Sequence, residues 1–217
     1  MSDSLLQARF DAAMAALPLV AILRGLTPQD CLPVCRALEA TGFRLMEIPL
    51  NSPEPFDSIA QVRAAMPAEV LVGAGTVTSV EAVAQLAQTG AELAVMPHAD
   101  TKVIRAAKAA GLLCVPGVAT PTEAFAALEA GADALKIFPA ELVGPAAIRA
   151  MRAVLPKGTR LLPVGGISPA TMAPFLEAGV AGFGLGSALY RPGDSAETVA
   201  GHARDFVAAY LGQAVPA

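Results

Sequence analysis

The chain has 217 residues, 54% of them hydrophobic and 16% charged, which is enough to bury one sizeable core and too apolar for a disordered segment. Fifteen basic against nineteen acidic residues leave a net charge of −4. No basic surplus exists to neutralise a nucleic-acid backbone, so any attraction of an anionic ligand has to be local. The apolar runs, such as LVAIL at 19–23 and LLCVPGV at 112–118, fall well short of the roughly 20 residues that cross a bilayer.

In chain order, residues 1–18 carry Asp3, Arg9 and Asp11 inside an apolar pattern without a basic leader. They read as an amphipathic helix and not as an export signal. A cytoplasmic protein is expected, in keeping with three cysteines, Cys31, Cys35 and Cys114, an odd count with no disulfide framework. Cys31 and Cys35 have helical spacing, but no further ligand stands near them in sequence, so ordinary thiols are preferred over a metal site.

Short β-branched runs centred on Ile22, Glu47, Val72, Val95, Val115, Lys136, Pro163 and Leu185 then recur every 20–27 residues. Helical patterns fill the segments 27–41, 53–66, 79–89, 100–110, 121–130, 145–155, 169–178 and 195–211. Thr27-Pro28, Ser52-Pro53, Thr120-Pro121 and Ser168-Pro169 supply a capping residue before a proline at the first helical position. Gly42, Gly90, Gly111, Gly131 and Gly179 stand where helices must end. Eight strand-helix units of even period predict a single α/β domain over 1–217, a (β/α)8 TIM barrel with an extra N-terminal helix. A doubly wound open sheet is the alternative, with commonly fewer strands.

A charge in the middle of a barrel strand is costly unless it is paired or used. Three charges stand inside or at the end of strands: Arg24 in VAILRG, Glu47 in LMEIPL and Lys136 in ALKIFP. Of the four lysines, Lys102, Lys108 and Lys157 fall on helices or a loop, where a solvated ammonium is expected. Lys136 is flanked by Leu135, Ile137 and Phe138. Desolvation lowers a lysine's pKa and frees the neutral amine to attack a carbonyl. The alternative is a strut paired with a buried carboxylate. A desolvated Glu47 would move protons near neutral pH, whereas pairing with Arg24 or Lys136 would depress its pKa instead. Arg24 offers a fork to a substrate carboxylate or clamps Glu47.

PVGGIS at 163–168 and GLGSAL at 184–189 end the last two strands in glycines just before a helix. Their backbone N–H groups suit a phosphate, although a tight turn alone also demands glycine. GAGTV at 73–77 lacks the third glycine of a dinucleotide fingerprint, which excludes NAD. Thr76 there offers a hydroxyl at the strand rim or caps a helix. His98 reads as a loop contact more readily than as a proton carrier, and His202 as exposed on the final helix.

Together, EIPLNSP, GAGTV, PGVATPTEA, ALKIFPAE, PVGGIS and GLGS, in that order over nearly the whole chain, resemble the 2-keto-3-deoxy-6-phospho sugar acid aldolases. The resemblance implies a class I enzyme on one (β/α)8 barrel, a homotrimer, with no metal or other cofactor. It makes Lys136 the Schiff-base residue and Glu47 the general acid/base. Gly165, Gly166, Gly186 and Ser187 would hold the phosphate, Thr76 would help seat the pyruvate carboxylate, and Phe138 with Pro97 would line the cavity. Asn51 and Val164, where the gluconate-type enzymes carry an arginine and a threonine, together with the ILRG segment containing Arg24, resemble the 6-phosphogalactonate branch. The expected partner is a phosphorylated keto sugar acid. The expected reaction is its cleavage to pyruvate and glyceraldehyde 3-phosphate. The C4 epimer is the alternative substrate; an isomerase or synthase of the phosphate-binding barrels, or a non-catalytic sugar-phosphate sensor, is the alternative function.

Overall fold

The computed structural model describes residues 3–213. Helix α1 (Asp3–Ala16) precedes an alternation of β1 (Leu19–Ile22), α2 (Cys31–Ala40), β2 (Leu45–Pro49), α3 (Pro55–Ala65), β3 (Leu71–Gly75), α4 (Val80–Gln88), β4 (Leu93–Val95), α5 (Thr101–Ala109) and β5 (Leu113–Val115). The chain continues through β6 (Gly117–Val118), α6 (Pro121–Glu129), β7 (Leu135–Ile137), α7 (Ala140–Val154), β8 (Leu161–Pro163), α8 (Met172–Glu177), β9 (Phe183–Leu185) and α9 (Ala196–Gln213).

Every ladder is parallel, and the strands form a curled sheet in two parts, ordered β5-β4-β3-β2-β1-β9 and β6-β7-β8. One expected strand is therefore two. Proline has no N–H to give a ladder, and at Pro116 the chain changes partner: Val115 pairs with Val95, whereas Gly117 pairs with Lys136. A single bridge, Val164 to Gly184, joins the end of β8 to β9.

The helix punctuation holds at Thr120, whose hydroxyl accepts from the Glu123 N–H while the Glu123 carboxylate reaches back to the Thr120 N–H. It fails at two places. Thr27 and Asp30 close a turn on each other, with a hydroxyl-to-carboxylate bond of 2.7 Å, so α2 begins only at Cys31. Helix α3 begins at Pro55 behind Glu54, which adopts a left-handed φ of 41°. Ser168-Pro169 opens a 3-10 turn (Pro169–Thr171) ahead of α8. Helix α7 starts earlier than its proline implies, because Ala140–Val143 forms a turn and Gly144 (φ 67°, ψ 165°) breaks the backbone before Pro145.

Side chains on successive strand positions sort into two apolar clusters, as the pleat requires. One lies between the strands and the helices and includes Met46, Ile48, Val72, Ala74 and Ile137. The other fills the inside of the curl with Val20, Leu45, Leu71, Leu93, Leu113 and Leu162, and α1 seals it from below with Leu6, Phe10, Ala13 and Met14. Arg160 lies 5.3 Å from the Phe10 ring centroid and pairs with Asp11. A further clamp fixes α1 and α3 to the sheet: buried Glu92 holds Arg9 through Oε1 and Arg63 through Oε2, the latter at 2.8 Å. Lys108 is not free in solvent as expected, since it pairs with Asp133 at 2.8 Å.

Candidate active site

Glu47 sits in the middle of β2, facing inward like Leu45, with Ile22 and Gly73 as its neighbours on β1 and β3. Lys136 occupies the centre of β7, between Gly117 and Leu162. Both are buried, at 1% and 6% exposure. They line one small apolar void with Ile22, Val95, Val115 and Val164. Ile22, Lys136 and Val164 also floor an open cleft of about 430 Å³, walled by Arg24, Phe138, Gly165, Gly166, Gly186 and Ser187. The lysine thus stands where the dry interior meets the ligand-sized cleft.

Glu47 is not the partner in an ion pair, and neither is Lys136 among the described residues. Oε2 of Glu47 is buried with no hydrogen-bond donor. Burial raises the Glu47 pKa to about 7, outweighing the opposing pull of Lys136 and Arg24. Burial likewise lowers the Lys136 pKa; Glu47 opposes that shift and Arg24 adds to it. The Lys136 ammonium lies 4.8 Å from the Phe138 ring centroid, a contact that favours the charged form. The strut reading of Lys136 and the clamp reading of Arg24 on Glu47 both give way: Arg24 Nη1 donates to Asn51 Oδ1 at 2.5 Å instead.

Gly75 explains how Glu47 fits. A Cβ at that position would lie 1.6 Å from Glu47 Oε2, so the carboxylate occupies the space a side chain would take. The next residue, Thr76, adopts φ 56°, a strained conformation for a β-branched residue. Thr76 and Pro97 stand just beyond β3 and β4, outside the lining of the cleft, and Pro97 packs its backbone where a Cβ on Gly117 would fall. Gly165 (φ 107°) and Gly166 (φ 62°) both need the left-handed region that glycine permits.

His98 lies on the loop after β4 with Nδ1 buried and unbonded, away from the cleft. His202 is half-buried, its Nδ1 3.1 Å from the Leu189 carbonyl oxygen, not exposed. Ser168, Tyr190 and Arg191 also line the cleft and were missed from sequence. The available signal was an arginine four residues after Ser187.

A family model, KDPG and KHG aldolase, matches residues 10–198. The chain belongs to that family. It is 50% identical over 194 residues to the 2-dehydro-3-deoxy-6-phosphogalactonate aldolase of Escherichia coli, a match covering 89% of this chain and 95% of the relative. A solved structure described as native KDPGal superposes with a TM-score of 0.89 at 49% identity, covering 91% of this chain and 96% of that one. A KDPG aldolase from Legionella pneumophila, with pyruvate captured as a covalent carbinolamine, superposes at 0.78 with 26% identity, covering 94% and 97%. The chain is accordingly an aldolase, of a family that cleaves its substrates to pyruvate and an aldehyde.

Proposed function

We propose that this aldolase cleaves 2-dehydro-3-deoxy-6-phosphogalactonate to pyruvate and glyceraldehyde 3-phosphate through an imine on Lys136. The observation that carries the reading is a lysine and a glutamate, unpaired and desolvated on one void at the floor of the cleft. Burial pushes both toward their neutral forms. The neutral amine attacks the C2 carbonyl, and loss of water from the carbinolamine leaves a protonated imine. Ionised Glu47 takes the C4 hydroxyl proton as the C3–C4 bond breaks. The bond's electrons pass to the imine nitrogen, giving an enamine and the free aldehyde. Protonation at C3 and hydrolysis then release pyruvate and restore Lys136.

Arg24, held by Asn51, binds the substrate carboxylate with help from the Thr76 hydroxyl. Phe138 supplies an apolar wall, and Val164 closes the floor beside Lys136. Gly165, Gly166, Gly186 and Ser187 receive the phosphate. The galactonate substrate is favoured by the name of the half-identical relative from Escherichia coli and by Asn51 and Val164.

We further read the chain as one domain and a closed (β/α)8 barrel. Support comes from the bridge between Val164 and Gly184 on one side and the continuity of β5 into β6 through Pro116 on the other. A homotrimer follows from the family resemblance, and light scattering should find three copies of the 22.0 kDa chain. A cytoplasmic location is in keeping with three buried, unpaired thiols.

Borohydride with pyruvate should attach a three-carbon adduct to Lys136 and to no other lysine. Parallel kinetics on the two C4 epimers should give the galactonate substrate the higher kcat/KM. Near wild-type turnover by Lys136→Ala, or activity abolished by a chelator, would end the mechanism. A preference for the other epimer would change only the substrate.

A further inference from the structure

Sugar-phosphate cleavage needs the phosphate end of the substrate held against solvent, and in this cleft the Gly165–Gly166 turn offers backbone alone. The field of that turn is also opposed. Glu141, in the first turn of α7, leans on the pair so closely that a Cβ on Gly165 would lie 2.3 Å from Oε2, and one on Gly166 would lie 2.6 Å from Cγ. A carboxylate at the back of the turn weakens its attraction for a dianion.

Three cationic side chains and no carboxylate line the cleft. Lys136 is committed to the floor, and Arg24 to Asn51. The third, Arg191, follows the Gly186–Ser187 turn. Its Nε–H donates to the Ser187 carbonyl at 3.0 Å, which ties the guanidinium to the turn, and it forms no ion pair among the described residues. Its backbone is set independently of its side chain: the Arg191 N–H donates to Asp194 Oδ2 at 2.8 Å, and Pro192 fills the space above Gly25. A guanidinium bonded through Nε still has its terminal N–H groups for a second acceptor, and that fork suits two phosphate oxygens.

We propose that Arg191 is the cation that binds the substrate's phosphate, completing a cradle whose other walls are the Gly165–Gly166 and Gly186–Ser187 turns. The proposal rests on the aldolase reading of the same cleft and adds the group that selects phosphorylated substrates. Arg24 serves the carboxylate end and Arg191 the phosphate end.

The test compares Arg191→Gln and Arg191→Lys with wild type. Loss of one charge-assisted contact predicts a KM for the phosphorylated substrate raised about 10- to 100-fold in Arg191→Gln, with kcat within about threefold. Arg191→Lys should fall between. Turnover of the unphosphorylated analogue should be unchanged, and inorganic phosphate should inhibit cleavage of the phosphorylated substrate competitively in the wild type and about 10- to 100-fold more weakly in Arg191→Gln. Pyruvate trapping on Lys136 serves as the separate control. If trapping persists while the KM of Arg191→Gln stays within twofold of wild type, this proposal is wrong and the aldolase reading stands. Equal losses with phosphorylated and unphosphorylated substrates would show a structural role and also overturn it. Absence of trapping in the wild type would overturn the aldolase reading itself.

Discussion

Replacing Gly75 by alanine tests how the site holds its carboxylate. The added methyl would lie 1.6 Å from Oε2, 2.3 Å from Cδ and 2.6 Å from Oε1 of Glu47. A carbon–oxygen contact needs roughly 3.3 Å, so the carboxylate has to retreat by about 1.7 Å. The atoms that must move are the end of a flexible side chain, and alanine suits a strand interior better than glycine by about 0.5–1 kcal/mol. Folding stability should therefore change by less than about 1 kcal/mol, and the thermal midpoint should move by no more than a few degrees. Catalysis should suffer far more, because a misplacement of about 1 Å costs on the order of 100-fold. Single-turnover cleavage should slow by about that factor, while borohydride trapping of pyruvate on Lys136 continues. Combining Gly75→Ala with Glu47→Asp, one methylene shorter, should recover part of the loss, so that the two changes are not additive. Cleavage by Gly75→Ala within threefold of wild type would refute the idea that Glu47 works from this position.

The pH dependence follows from the same burial. With a Glu47 pKa of about 7, kcat/KM should rise as pH passes through neutrality, and Glu47→Gln should lose that limb together with most activity. The folded-state pKa is raised, so the contribution of Glu47 to stability is fully present below its unfolded pKa near 4.5 and is lost as pH climbs through about 7. Urea melts at pH 8 should accordingly find Glu47→Gln more stable than wild type by roughly 1–3 kcal/mol, with no difference at pH 4. Thr76→Gly should relieve the left-handed strain at φ 56°, raising stability by about 1 kcal/mol while lowering kcat/KM through loss of the hydroxyl. Truncating Glu92→Ala leaves Arg9 and Arg63 without their shared carboxylate. It should cost about 3–5 kcal/mol in chemical denaturation with kcat preserved in the fraction that folds.

Much of this was legible in the chain because the relevant physics is local. Strand periodicity and a cap such as Thr120-Pro121-Thr122-Glu123 act over a few neighbours, so elements and centres fall close to their expected places. Glu47 and Lys136 announced themselves for a related reason: an ionised group in an apolar strand has few affordable roles wherever the strand goes. The errors have the opposite character. Thr27 looks like a cap in sequence, yet Asp30 competes for its hydroxyl. Glu92, just before β4, is marked by no local pattern, yet it is the clamp for two arginines from α1 and α3.

The order of strands and helices, the helix stops and the presence of two ionisable groups in apolar strands are thus properties of the linear pattern. The direction of the Glu47 pKa, the change of strand partner at Pro116, the capture of Arg24 by Asn51 and the meeting of Arg191 with the glycine turns are not. Each depends on a distance between segments far apart in the chain, where burial and pairing compete. Only the folded packing sets those distances.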